Sequence, residues 1–188
     1  EEDTIEPALQ SLLSLEYTNL EIIVINDRST DYTGEVLQKI KKNHPQLQIL
    51  KIEELPEGWL GKNHAMYQGA QIARGEYLLF TDADIIFEAT TVSRAMSLVV
   101  HENLDHLSLI FKNIAKGWLL NAMMIDAGGG LFAQLKPWKV KDPNSKRFMG
   151  VGAFNLVKKS VYKQIGGHET IKLHPIDDIM LGKKVKRG

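Results

Sequence analysis

The stretch that most constrains this chain runs from Tyr77 to Phe87 and reads YLLFTDADIIF. Tyr77-Leu78-Leu79-Phe80 is an apolar run with the length and character of a buried strand. It stops abruptly in Asp82-Ala83-Asp84. Two carboxylates two residues apart at the end of a buried strand are costly unless something compensates their charge. A divalent cation would do so, and carboxylate oxygens suit Mg²⁺ or Mn²⁺. In open α/β sheets, ligands bind outside the carboxyl ends of the strands. The stretch therefore reads as a place where Asp82 and Asp84 hold a metal-bridged diphosphate. An acidic turn after a core strand is the plainer alternative, and the tripeptide alone fits it at least as well.

The bulk of the sequence narrows the classes. At 188 residues the chain is long enough for one domain with a sizeable core. Lys plus Arg and Asp plus Glu are balanced at 23 each, so no overall field favours nucleic acid. The absence of cysteine excludes disulfides and thiolate metal sites. No apolar run approaches the ~20 residues of a membrane span, and no signal peptide is evident.

Taken in order, the pattern alternates. Ile5, Leu9, Leu12 and Leu13 predict a helix over 4–15, and EIIVIN at 21–26 a buried strand. A polar turn, Asp27-Arg28-Ser29-Thr30-Asp31, leads to a helix with Val36, Leu37 and Ile40 inward. A strand follows at 47–52. The turn-rich loop Pro56 to Lys62 then opens a third helix, stopped by Gly75. After the acidic stretch, Val92, Met96 and Val99 mark a fourth helix. This alternation predicts an α/β fold with a mostly parallel sheet and helices on both faces.

Beyond it, 107–112 reads as a further strand. Trp118 to Leu135 reads as an amphipathic helix passing into a loose Gly-rich segment. That segment is either ordinary core or a surface for a membrane or greasy acceptor. A basic loop follows at 136–147, then a strand at 154–157 and a short helix from Ser160 to the glycines 166 and 167. Asp177-Asp178 opens the last helix. No repeat or linker is evident, so residues 1–188 read as a single domain.

The ordered set Asn26-Asp27-Arg28-Ser29-Thr30-Asp31, Gly58-Trp59-Leu60-Gly61-Lys62, Thr81-Asp82-Ala83-Asp84, Gly166-Gly167-His168 and Asp177-Asp178 resembles family 2 glycosyltransferases, which have the GT-A fold. Within that family the chain resembles the membrane-associated branch with hopanoid-linked, carotenoid-linked and ceramide glucosyltransferase-like enzymes. The resemblance implies inverting, metal-dependent transfer of a sugar from a nucleotide-sugar donor, a UDP-sugar, to a hydroxyl acceptor, including a lipid-like one.

Asp27 matches the family's carboxylate for uracil and ribose. Asp82 matches the position that contacts ribose or metal, and Asp84 the one that holds the metal, Mg²⁺ or Mn²⁺. Lys62 follows a Gly-containing loop and is within reach of donor phosphates as a point charge; a solvated lysine is the alternative. Gly150 and Gly152 would let backbone pass close to donor or acceptor, or simply form a turn. The acidic pair gives the general base. Asp178 is the first choice and Asp177 the second, with a charge-favoured helix N-terminus as the alternative. His168 and His174 are assigned no role.

The same resemblance implies two absences: a strand before Glu1 and a membrane region after Gly188. It places a full-length protein at the cytoplasmic face of the cell membrane. The present chain is then expected to be a soluble fragment, inactive and prone to self-association at open sheet edges. Two rival readings remain: a nucleotide-sugar-binding domain without turnover, and a sugar-phosphate nucleotidyltransferase. The second would need an N-terminal Gly-rich phosphate loop that the sequence does not show.

Overall fold

In the computed structural model, which describes residues 2–112 and 117–188, helices and strands alternate through the first half of the chain. The order is α1 (Glu2–Leu13), β1 (Ile23–Asp27), α2 (Thr33–Asn43), β2 (Gln48–Ile52), α3 (Gly61–Ile72), β3 (Tyr77–Phe80) and α4 (Thr91–His101). The second half contributes β4 (His106–Ser108), α5 (Trp118–Leu135), β5 (Asn155–Lys158), α6 (Lys159–Gln164) and α7 (Asp177–Arg187). Short 3-10 turns lie at Pro137–Lys139 and Gly167–Ile171.

The expected α/β architecture is present, with its parallel part at β1–β2, where Ile23 pairs with Gln48 and Asp27 with Ile52. β5 is inserted antiparallel between β3 and β4, pairing Phe80 and Ser108 with opposite edges of Asn155. Alternation of helix and strand cannot reveal this, because β5 comes from 75 residues beyond β3. β1 and β3 are not hydrogen-bonded to each other. Both instead line one cavity of about 1230 Å³, with Ile23, Ile25, Leu78 and Phe80 in its wall.

Three apolar clusters hold the elements. Ile5 and Leu9 of α1 pack with Leu37, Ile40 and Leu47 around β1–β2. Val92, Ala95 and Val99 of α4 pack on Phe154 and Leu156. The third cluster positions the site: Ala70, Leu78, Val157, Tyr162, Ile171 and Leu181 join α3, β3, β5, α6 and α7. Each large side chain among them contributes roughly 1.5–3 kcal/mol on burial.

Two local readings differ from the sequence. Strand β4 ends at Ser108, short of the predicted 112. α5 also runs unbroken through Gly128-Gly129-Gly130 to Leu135, where Lys136 turns into the left-handed region at φ 52°. Glycine costs about 1 kcal/mol per helical position but does not forbid the geometry, and a Cβ at any of the three would meet open space. Residues 113–116, just before that helix, lie outside the described residues.

Candidate active site

The acidic motif is pinned at the end of β3 by a segment just before β5. The Asp82 amide donates to the Gly152 carbonyl at 3.2 Å, and Thr81 Oγ1 donates to the Ala153 carbonyl at 2.9 Å. Lys62, in the first turn of α3, donates from Nζ to Asp82 Oδ1 at 2.7 Å and lies 3.6 Å from Asp177 Oδ1. One ammonium therefore bridges the acidic motif and the acidic pair, which are 95 residues apart in the chain. Burial works against its charge, but the hydrogen bond to Asp82 and the charges of Asp177, Asp82 and Asp178 hold its pKa above the ordinary lysine value. Gly152 belongs to the same cluster: a Cβ there would fall 2.7 Å from Asp82 Oδ2 and 3.4 Å from Lys62 Nζ.

α7 brings the acidic pair in by an unusually close approach. A Cβ on Gly150 would lie 1.8 Å from the Asp178 carbonyl oxygen, and one on Gly182 would lie 2.0 Å from the Met149 carbonyl oxygen. Glycines on both sides thus let the helix backbone rest directly on the 149–150 backbone. What the missing side chain of Gly150 makes room for is Asp178 itself. Asn155 Nδ2 also donates to the Asp178 carbonyl at 3.3 Å, while Asn155 Oδ1 takes a hydrogen bond from His106 Nε2.

The two aspartates differ. Asp177 is only 6% exposed and shares the inward face with Leu181, one turn on. Burial would raise its carboxyl, but the His168 N–H and the Lys62 charge overcome this and hold its pKa below the ordinary aspartate value. Asp178 is half-buried, with Oδ1 accepting from the Ile179 amide at 2.8 Å. The deeper residue of the pair is Asp177.

At the end of β1, Asp27 takes two hydrogen bonds from the next residue, from Arg28 Nε at 2.8 Å and Nη2 at 3.0 Å. The pairing needs Arg28 at φ 55°, a left-handed conformation uncommon for non-glycine residues. Gly61 opens α3 against this pair, since a Cβ there would meet Asp27 Oδ2 at 2.8 Å. Asp27, Lys62, Asp82 and Asp84 all line the 1230 Å³ cavity. Asp177 and Asp178 are not on its wall; Asp177 reaches it through Lys62.

The donor set also bears on a metal. Among the described residues no group of three or more His, Asp or Glu side chains is placed to hold an ion. The cavity offers Asp84, which is exposed, and Asp82, one of whose oxygens already takes the Lys62 hydrogen bond. Such a pair does not make a closed protein cage. It fits Mg²⁺ or Mn²⁺, which can be bound by one or two carboxylates with phosphate and water completing the shell.

Sequence reasoning missed three participants: the Arg28 fork on Asp27, the His106–Asn155 support of Asp178, and the contact of His168 with Asp177. Only the last had a visible signal, a histidine directly after two glycines and shortly before the acidic pair.

Comparison with known proteins places the chain in a family. The family model for glycosyl transferase family 2 matches residues 1–166. A poly-beta-1,6-N-acetyl-D-glucosamine synthase of Staphylococcus epidermidis is 41% identical over 88 residues, covering 47% of this chain and 20% of the synthase. An uncharacterized glycosyltransferase of Escherichia coli, YibD, is 31% identical over 103 residues, covering 55% of this chain and 28% of that protein. The chain therefore spans between a fifth and three tenths of the length of these curated relatives.

Among solved structures, a mannosyltransferase of Pyrobaculum calidifontis in complex with GDP-Man and Mn²⁺ superposes with a TM-score of 0.73 at 20% identity, covering 98% of this chain and 48% of that one. S. aureus TarS 1–349 does so with a TM-score of 0.67 at 18% identity, covering 98% of this chain and 52% of that one. At such identities the likeness shows a shared fold.

Proposed function

The chain belongs to glycosyl transferase family 2, and from that premise we propose that its site transfers a sugar from a nucleotide-sugar donor, a UDP-sugar, to a hydroxyl acceptor with inversion at the anomeric carbon. The observation that carries this reading is the Lys62 bridge: one cation, at the edge of a cavity lined by Asp27, Asp82 and Asp84, tied to Asp177 of the acidic pair. The solved relatives support the donor class. TarS has been crystallised with UDP and with UDP-GlcNAc, and the mannosyltransferase structure is a complex with GDP-Man and Mn²⁺.

In this reading each residue has a separate task. Asp27 accepts hydrogen bonds from the base N–H or ribose hydroxyls once Arg28 yields one of its contacts. Asp84 and Asp82 would hold the divalent ion, which supplies positive charge where the departing diphosphate gathers negative charge. Lys62 adds a fixed ammonium on the same side. Asp178 takes the proton of the acceptor hydroxyl as its oxygen bonds to the anomeric carbon and the carbon–phosphate oxygen bond breaks, releasing UDP. Asp177, buried and held by Lys62 and His168, serves as an anchor.

The acceptor in this proposal is lipid-like, as in the membrane-associated branch, with a full-length protein working at the cytoplasmic membrane face. The support is the surface of α5 and the turn after it, where Trp118 is 82%, Met123 63% and Trp138 65% exposed, with Lys136 and Lys139 adjacent in sequence. Aromatic and basic residues together suit a bilayer interface. Among the described residues no helix is long and apolar enough to cross a membrane.

The decisive experiment is Asp178→Asn in the full-length protein, assayed with a panel of nucleotide sugars and Mn²⁺ or Mg²⁺. Transfer should fall at least 100-fold while UDP binding stays within twofold. Transfer that survives the substitution would remove Asp178 from the chemistry. UDP binding without turnover in the unaltered full-length protein would instead favour a binding module.

A further inference from the structure

The Gly-Gly-His stretch before the acidic pair is built around one buried contact. Gly166 and Gly167 both have positive φ, 77° and 53°. A Cβ on Gly167 would fall 2.5 Å from Tyr162 Cζ, so only glycine lets the chain pass beneath that ring. The result is that Tyr162 Oη accepts from the His168 backbone N–H at 3.1 Å and lies 2.9 Å from His168 Nδ1. His168 is 1% exposed and is held edge-on against Phe80, ring centroids 4.8 Å apart.

The hydrogen-bond pattern assigns the tautomer. A buried hydroxyl needs an acceptor for its single proton. Among the described residues His168 Nδ1 is the acceptor in reach. Burial pushes the Tyr162 hydroxyl up to about 12, so that proton is present throughout the neutral range. With Nδ1 accepting, the ring proton sits on Nε2, and Nε2 faces Asp177 Oδ2 at 3.9 Å. At that distance the contact is an oriented N–H dipole beside a carboxylate rather than a full hydrogen bond. The other Asp177 oxygen, Oδ1, faces Lys62 Nζ at 3.6 Å.

We propose that Tyr162 and His168 are positioning residues for the donor site: Tyr162 locks His168 as the Nε2–H tautomer, His168 orients Asp177, and Asp177 holds the Lys62 ammonium at the phosphate end of the cavity. The inference rests on the nucleotide-sugar reading for the identity of the ligand, and on geometry alone for the lock. It also explains why the acidic pair divides its labour, since a carboxylate committed to Lys62 on one side and His168 on the other is poorly placed to take an acceptor's proton.

The test uses the 188-residue chain with two readouts. The first is the ¹⁵N spectrum of the His168 imidazole, assigned by loss of its signals in His168→Gln. The lock requires a protonated Nε2 and a bare Nδ1 in the unaltered protein, and a mixed or reversed pattern in Tyr162→Phe. The second readout is binding of UDP with Mn²⁺. His168→Phe, which fills the space without a donor, should weaken binding about tenfold at a thermal midpoint matched by His168→Gln. His168→Gln, which keeps a donor towards Asp177, should recover most of that loss.

A protonated Nδ1 in the unaltered chain overturns the proposal. So does equal UDP binding by the Phe and Gln variants. If His168→Phe does not fold, Tyr162→Phe carries the same comparison, with unchanged UDP binding again overturning the proposal. An unaltered chain that binds no UDP sinks the donor reading but not the lock, on which the imidazole spectrum then decides alone.

Discussion

Gly150→Ala tests how the acidic pair is delivered to the site. The added methyl would fall 1.8 Å from the Asp178 carbonyl oxygen and 2.3 Å from its carbon. Ordinary contact requires the first turn of α7 to retreat by roughly 1.5 Å, because the obstacle is backbone and cannot rotate away. Overpacking of this kind costs about 1–3 kcal/mol or more, which for a chain of this size lowers the thermal midpoint by roughly 3–10 °C. The functional loss should exceed the loss in stability. Asp178 moves with the helix, and a misplacement of about 1 Å at a reacting group costs on the order of 100-fold. The assay is a thermal melt together with transfer kinetics of the full-length protein well below the melting temperature. Gly182→Ala, which meets the Met149 carbonyl at 2.0 Å on the same seat, should behave alike. Gly129→Ala, with nothing within 4 Å, should stabilise the chain by roughly 0.5–1 kcal/mol. A Gly150→Ala chain that melts and turns over like the unaltered protein would refute the account of α7 docking.

Three further outcomes are expected. Asp177 titrates below the ordinary aspartate value of 3.8 in the folded chain, so its contribution to stability is present above that value and is lost as pH falls through the lower folded value. Asp177→Asn should therefore flatten the thermal midpoint between about pH 5 and pH 3 relative to the unaltered chain; parallel curves would contradict the ion-pair geometry. Arg28→Val should be less stable than Arg28→Gly by about 1–2 kcal/mol in chemical denaturation, because a β-branched side chain tolerates φ 55° poorly. Equal stabilities would mean that the left-handed turn is not held in solution. The open edges of β1 and β3 predict concentration-dependent self-association in sedimentation velocity, and a single monomeric boundary across a hundredfold concentration range would count against it.

Much of this was legible in the chain because the signals were local. An apolar run ending in Asp82-Ala83-Asp84 announces both a strand and its charged terminus. Asp27 announces itself in the same way after EIIVIN. Asp177-Asp178 opens a helix, as acidic residues near an N-terminus should. What could not be read depends on pairings across long sequence separations or on backbone angles. The insertion of β5 between β3 and β4 follows from neither periodicity nor composition. The Arg28 fork depends on a left-handed residue that no nearby glycine advertises. The three glycines of α5 suggested a break, but the helix flanking them on both sides carries through. The sequence assigns His168 no role, and its burial is that of a core histidine. Its significance in the proposal lies in the hydrogen bond that Tyr162 donates to Nδ1 and in the Nε2 proton this leaves facing Asp177.

If a nucleotide binds as proposed, the separation between β1 and β3 divides its two ends between two half-sheets. Asp27 belongs to the β1–β2 slab, and Asp82 and Asp84 extend from the β3–β5–β4 slab. A nucleotide that engaged both would act as a staple across a seam with no backbone rungs of its own. Its binding energy would then go partly into joining the slabs, and the loaded chain would unfold as a more cooperative unit than the bare one.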